Sequence, residues 1–445
     1  METIQSFTDQ WTNPSEVTTV LMVIGGDIVQ KALAQSAGTW FSPVCFSFGW
    51  VMYAFVALVN VVGDGRLLPR PDYPAKVFNL KSGYVRENQH WVIGRLVRDS
   101  EATMSREYPL HNEGIRICVY EAEKNNNKAS YTLGVTHYIS LGVMICQLLI
   151  AAVPLILDKE WGILLITAVG TILALWHGAL PQWVAEKMPN RQHASTIYAL
   201  TAGNGHKDIM VIKGKGNCLN LEELATPDTP RNGGPWEKFW KPLSKPSVDH
   251  EGLVRFRKTG TMLRQTTEFW GQPRGFWVTK VTTIVQSVLW LVLLVCVSAI
   301  RTNTWFLMAV GGLGMFQNAI LAAVERKPSE WNLPLRLNDV IVTKKVMDGL
   351  MDLEVSHGCG EALLQEFFPG KLTQDEKNWW YHGDRKAYDD RRNKDKLARG
   401  PPRSRRAQFE ERYNHQSPSD GSASSPPPSP TRTGGQDPGQ PNEKR

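Results

Sequence analysis

Residues 131–183 constrain this chain more than any other stretch. Two apolar runs, 131–157 and 161–183, are separated only by Asp158-Lys159-Glu160. No Asp, Glu, Lys or Arg occurs from Ala129 to Leu157 or from Trp161 to Ala185. A helix rises ~1.5 Å per residue, so about 20 apolar residues cross a bilayer core. Each run is long enough to span, and so short a break admits only a tight turn. The pair predicts a transmembrane hairpin, and with it a multi-pass membrane protein anchored in a lipid bilayer.

Other stretches extend the pattern. Residues 276–300 and 305–324 are joined by Arg301-Thr302-Asn303-Thr304 and predict another hairpin. Residues 41–63 carry no charge, whereas 18–35, the weakest candidate, are interrupted by Asp27, Gln30 and Lys31. The expected fold is an α-helical integral membrane protein with about six transmembrane helices in three hairpins. If 18–35 lies on the membrane surface or is re-entrant, five spans remain and the N-terminus changes side.

Orientation follows from Lys and Arg near the span ends. Arg66, Arg70, Lys76 and Lys81 follow residue 63, and Lys187 and Arg191 follow residue 183. Arg255, Arg257, Lys258, Arg264 and Arg274 precede residue 276, and Arg326 and Lys327 follow residue 324. Only Lys159 and Arg301, with Lys31 near the end of 18–35, oppose them. The loops 64–130 and 184–275 and the C-terminus are therefore expected in the cytoplasm. Trp40, Trp161 and Trp305 fall at the outer ends, as an aromatic belt would place them. The chain's 50 Lys and Arg against 43 Asp and Glu give +7. Basic residues are scattered without aromatic interleaving, so no nucleic-acid partner is expected.

The loops carry their own structure. Ile115–Val119 alternates like a half-buried strand, and 195–202 and 208–213 predict a β-hairpin turned by Gly203-Asn204-Gly205. Residues 219–225 suggest a short helix. Together they predict a small cytoplasmic α/β module built from both loops, with an irregular proline-rich stretch from 227 to 246. In 325–383, the spacing predicts an amphipathic helix over 338–355, stopped by Gly358-Cys359-Gly360, with shorter helices over 361–368 and 375–380. Residues 338–380 are the candidate surface for cytoplasmic protein partners. The tail 384–445 is too polar to offset its ordering entropy and is expected to be disordered. There Ser417, Ser425 and Ser429 precede prolines as candidate phosphorylation sites, and 427–430 fits a minimal polyproline ligand.

Asp27 is the sharpest candidate site residue. An acid in a span costs roughly 2.5–3.5 kcal/mol on insertion scales and by default marks function. It either couples a proton or cation, or pairs with Lys31 one turn on. His137 and His177 sit near the cytoplasmic ends of 131–157 and 161–183. They either relay a proton across the hairpin or bond neighbouring helices. Gln317 and Asn318, like Gln147 and Gln286, read as glue between helices. Gly25-Gly26 and Gly311-Gly312-Leu313-Gly314 allow close helix approach. The Gly-rich stretches 203–205 and 214–217 miss the P-loop spacing and read as turns. Cys359 beside His357 reads as part of a helix stop rather than as a nucleophile. The six cysteines contain no CxxC, and no HExxH or GxSxG occurs. No catalytic residue, metal site or cofactor is expected.

Several stretches carry a resemblance. They are Gly25–Gln35, Phe48-Gly49-Trp50-Val51, Gly203-Asn204-Gly205 with Met210-Val211-Ile212, Leu219–Ala225, and Met351-Asp352-Leu353-Glu354 running into Glu366-Phe367-Phe368-Pro369-Gly370. They resemble a family of uncharacterised multi-pass membrane proteins of filamentous fungi, to which no activity is assigned. The resemblance covers most of the chain except the tail. It implies a fungal membrane protein, carries no catalytic residue over, and hints at an accessory role in metabolite biosynthesis. The residues themselves support two readings: transport or channel-like handling of a small solute, or a non-catalytic scaffold that recruits cytoplasmic partners.

Overall fold

The computed structural model describes residues 20–37, 42–123, 135–187, 192–216, 218–226, 268–269, 272–331 and 333–397. The first elements in chain order are α1 (Gly26–Ser36), α2 (Trp50–Val59), β1 (Lys76–Asn79), β2 (Tyr84–Glu87), α3 (Trp91–Glu107) and β3 (Ile115–Ala122). Next come α4 (Val135–Asp158), α5 (Gly162–Gly178), α6 (Pro181–Lys187), β4 (Ile197–Thr201) and β5 (Asp208–Lys213). The last are α7 (Arg274–Ala299), α8 (Thr304–Ala323), β6 (Leu335–Thr343), α9 (Val346–His357), α10 (Glu361–Phe367), α11 (Gln374–Tyr381) and α12 (Lys386–Leu397). The described residues 371–397 belong to a second compact unit.

Three helices, α4, α7 and α8, are long and apolar enough to cross a membrane. A fourth is α5 taken with α6, bent by 40° between Gly178 and Pro181. Proline suits the first turn of the new helix, where its missing N–H has no partner to lose. Two hairpins are thus realised close to the expected bounds, and their tips are joined. Asn303 Nδ2 donates to Asp158 and Glu160 at 2.9 Å each, and Thr302 Oγ1 donates to Glu160 at 2.7 Å.

The expected spans 18–35 and 41–63 are not continuous helices. α1 has 11 residues, ~16 Å long, about half of a bilayer core. Residues 42–47 run extended, a turn follows, and α2 begins only at Trp50 before ending in a π-helical turn over Asn60–Asp64. The breaks have local causes. Pro43 disfavours the helical region at Ser42. Gly25 and Gly49 sit at φ +88° and +90°, which side chains rarely adopt, and each directly precedes a helix.

The sheet module draws on three separated parts of the chain. Its six strands lie in the order β6-β3-β5-β4-β1-β2, with β3 and β5 parallel and all other neighbours antiparallel. Cys118 pairs Met210, Met210 pairs Leu200, and Leu200 pairs Val77, so these side chains share one face. That face packs with Ile93, Leu96 and Val97 of α3. The opposite face carries Ile117, Ile209 and Ile341 in register and receives α9, so closely that a Cβ on Gly349 would lie 2.7 Å from Ile115. The strands expected at 115–119, 195–202 and 208–213 are present.

The amphipathic helix expected over 338–355 is not. Residues 338–343 belong to β6 and pair with β3, and the helix starts at Val346. Val340-Ile341-Val342-Thr343 is a β-branched run, and an open strand edge outweighs its helical spacing. α9 ends at Gly358, φ +64°, as expected. In the second unit, α11 starts with a capping box between Thr373 and Glu376. Ser417, Ser425, Ser429 and most of the tail lie outside the described residues, as does the stretch 227–246.

Candidate functional site

The extended segment between α1 and α2 is wholly buried from Ser42 to Gly49. A buried backbone without helical bonds needs other partners for its N–H and C=O groups. Asn318 of α8 supplies them: its Oδ1 accepts from Cys45 N at 3.0 Å, and its Nδ2 donates to Cys45 O and Ser47 Oγ at 2.9 Å each. Gln147 of α4 donates to Phe46 O at 2.7 Å and to Val310 O at 2.8 Å. Trp50 Nε1 donates to Cys45 O at 2.9 Å. Gln317 turns aside and donates to Ser140 Oγ at 2.7 Å.

Glycines make the room. A Cβ on Gly314 would lie 1.9 Å from Phe46 O, and one on Gly170 or Gly311 would meet the Phe46 or Phe48 ring at 2.4 Å. The glycines of α8 do permit close approach, but what approaches is extended backbone rather than another helix. Gln317 links α8 to α4, while Asn318 binds main chain of the extended segment rather than a helix surface.

Beside this segment lies a buried polar column. Tyr53 Oη bonds His177 Nε2 at 2.7 Å, and His177 Nδ1 bonds Gln286 Oε1. An amide oxygen can only accept, so Nδ1 carries a proton towards Gln286, and the Tyr53 hydroxyl bonds the other ring nitrogen. Trp50 stacks on Trp290 at 5.1 Å, and Trp183 Nε1 donates to His177 O at 3.1 Å. His137 does not join this column. It lies half-buried at the start of α4 with its ring against Tyr138. The two histidines are therefore not brought together. Gln286 Nε2 is buried without a hydrogen-bond partner among the described residues.

Asp27 is exposed in the first turn of α1 and Lys31 is half-buried; among the described residues they form no ion pair. A Cβ on Gly25 would meet the Met315 side chain, and one on Gly49 the Gly25 backbone. Met315 lies near the middle of α8. Asp27 is thus exposed about halfway along the long helices.

Two charged residues at the end of α6 escaped the sequence reading, which took Lys187 as an ordinary flanking charge. Glu186 and Lys187 are both buried. Glu186 accepts from Leu67 N at 2.9 Å, Leu68 N at 2.7 Å and Gln182 Nε2 at 2.8 Å. Lys187 Nζ donates to Ala37 O and reaches Leu33 O at 3.4 Å, covering the last carbonyls of α1. Lys187 also lies over the Trp331 ring. The only sequence signal was their place immediately after a long uncharged run.

The module docks on the same end of the bundle through helix caps. Arg95 Nη1 of α3 donates to Ala322 O at 3.0 Å at the end of α8, where Gln35 Nε2 of α1 also donates to Val324 O at 3.0 Å. Asp99 accepts from Arg326 N at 2.9 Å. Burial raises the Asp99 carboxyl against the pull of that N–H and of Arg98.

On the far face, Lys213 Nζ donates to His357 Nδ1 at 2.9 Å, and Asp339 lies 3.4 Å from Nε2. Burial and Lys213 lower His357 below its usual 6.5. The unfolded chain therefore takes up a proton first on acidification. This contribution to stability is complete above about pH 6.5 and is lost below it, until the folded form also titrates. Melting at about pH 5.5 should come earlier than at about pH 7.5, by a smaller margin in His357→Gln than in the native chain. Burial pushes the Cys359 thiol up to about 11, so it is no nucleophile at neutral pH.

Comparison with protein-family models, with curated proteins and with solved structures finds no match.

Proposed function

We propose that this chain is a multi-pass integral membrane protein that handles a small solute, with Asp27 as the group that meets a proton or a cationic part of that solute. The observation that carries the reading is a polarity turned inside out. Ile145, Leu149, Ile172, Val288, Val295 and Phe316 are exposed on the long helices, while Gln147, His177, Gln286, Gln317 and Asn318 are buried among them. Lipid favours that arrangement and water opposes it. Discontinuous helices near mid-depth are where transporters bind ions and substrates. An acid exposed at that height is tolerated in lipid only if it is protonated or meets water or a cation. The Lys and Arg distribution supports a cytoplasmic sheet module.

The test is an untargeted small-molecule profile of cells and medium. A deletion strain is compared with strains restored by the native chain or by Asp27→Asn at equal abundance. A compound should shift between cell and medium on deletion, and Asp27→Asn should fail to restore it while Asp27→Glu succeeds in part. Full restoration by Asp27→Asn, or no shift at all, sinks the proposal.

A scaffold reading has one observation in its favour: the separate unit that begins at Lys371, where α11 is mostly half-buried and the described side chains of α12 are mostly exposed. It moves the candidate partner surface away from 338–370, where Met347, Leu350, Leu353 and Leu363 are already buried. Deleting 371–397 should then abolish function while Asp27→Asn leaves it intact.

A further inference from the structure

Glu186 is a buried ionisable group to which the solute reading assigns no role. Its carboxylate is an assembled acceptor site: Leu67 N lies 3.0 and 2.9 Å from its two oxygens, Leu68 N 2.7 Å and Gln182 Nε2 2.8 Å. Leu67 and Leu68 are themselves buried and lie on the turn that carries the chain from α2 towards β1. Among the described residues no Lys or Arg forms an ion pair with it.

Four titratable groups face it from the surrounding elements. Arg66 contributes its charge from the same turn, and Tyr53 faces it from α2. His90, at the start of α3, bonds the Glu186 carbonyl through Nε2 at 2.8 Å. Lys187, next along α6, spends its ammonium on the carbonyls of α1 instead. The site thus holds a buried anion chiefly with neutral N–H donors.

Protonation changes what those donors meet. A carboxylate only accepts, through both oxygens. A carboxylic acid turns one oxygen into a donor. Three N–H donors already share the two oxygens, so an added proton competes with them for the lone pairs and weakens the Leu67 and Leu68 bonds. We propose that Glu186 is a proton-binding site, and that taking up a proton from solvent releases the Leu67–Leu68 turn from α6. Loss of the proton rebuilds the four contacts, so the state of Glu186 sets whether the exit of α2 is tied to α6.

Amide hydrogen exchange on the full-length protein in lipid nanodiscs tests this, read on a peptide spanning 65–70 from about pH 5 to about pH 8 and corrected for intrinsic exchange. A β3 peptide serves as the unchanged reference. Protection of 65–70 should fall by about tenfold or more as pH drops, the equivalent of one lost bond. Glu186→Gln should be weakly protected at every pH, and His90→Gln should keep the fall. Flat protection in the native chain overturns the proposal, as does a fall that survives in Glu186→Gln or vanishes in His90→Gln. If Glu186→Gln does not fold, the native and His90→Gln curves decide alone.

Discussion

Arg116→Met is expected to cost the sheet module roughly 3–5 kcal/mol, because it strands a half-buried carboxylate and opens the end of a helix. Arg116 is 1% exposed at the start of β3. Its Nε bonds Asp208 at 2.5 Å across the parallel β3–β5 pair. Its Nη1 donates to Met104 O at 2.8 Å and Tyr108 O at 2.6 Å, and its Nη2 to Ser105 Oγ at 2.9 Å. One guanidinium thus neutralises an acid and satisfies the last carbonyls of α3. The Asp208 carboxyl is already raised by burial, with Arg116 as the main opposing influence.

A domain stable by only ~5–15 kcal/mol tolerates such a loss poorly. Thermal unfolding of the purified chain should show an early transition, with tryptic cleavage moving into β3. Arg116→Met with Asp208→Asn should recover part of the loss, since no bare charge remains. Recovery should be incomplete, because Met104 O, Tyr108 O and Ser105 Oγ each still lose the guanidinium N–H that they accept, Met104 O keeping the Tyr108 N–H. A single-variant cost below ~1 kcal/mol would mean that water replaces the guanidinium.

How much of this was legible beforehand depended on whether the pattern had a period. β3, β4 and β5 alternate and are bounded by turn residues, so their positions were readable. The hairpins 131–183 and 276–324 are long apolar runs, uncharged except for Lys280, with short breaks, which admit few folds. Residues 41–63 are apolar throughout, so nothing in their hydropathy marks where a helix begins. Only Pro43 and Gly49 hinted at the interruption, and a proline or glycine inside an apolar run is also common in ordinary spans.

Residues 338–343 satisfied both a helical and an alternating pattern, and the free edge of β3 decided between them. For the polar column, His177 was visible as a candidate. Its partners lie 124 and 109 positions away, at Tyr53 and Gln286, and no local spacing could name them. Glu186 and Lys187 looked like the usual charged flank of a span because burial is a tertiary fact. The sheet module was likewise seen only in part. The β1–β2 hairpin and α3 come from a loop whose individual strands are four residues long, too short to show a period.

Asn318→Leu is expected to remove the folded protein from the membrane rather than trim its activity. Leucine keeps the volume but leaves Cys45 N–H, Cys45 C=O and Ser47 Oγ short of a partner each. At ~1–3 kcal/mol for each unsatisfied buried group, the two main-chain losses alone cost ~2–6 kcal/mol. Trp50 Nε1 still reaches Cys45 O, which keeps the cost away from the top of that range.

Gly314→Ala attacks the same place by volume, since its new carbon would sit on Phe46 O, a backbone atom that cannot rotate away. Gly312→Ala, two residues back, meets nothing within 4 Å and serves as the control on the same helix. Detergent-extracted protein followed by gel filtration and thermal shift should lose the monodisperse peak in Asn318→Leu and Gly314→Ala and keep it in Gly312→Ala. Equal behaviour of all three would mean that the extended segment is not seated against α8. A loss confined to Asn318→Leu and Gly314→Ala would make the interrupted element between α1 and α2 the part of the bundle whose geometry the side chains of α8 enforce.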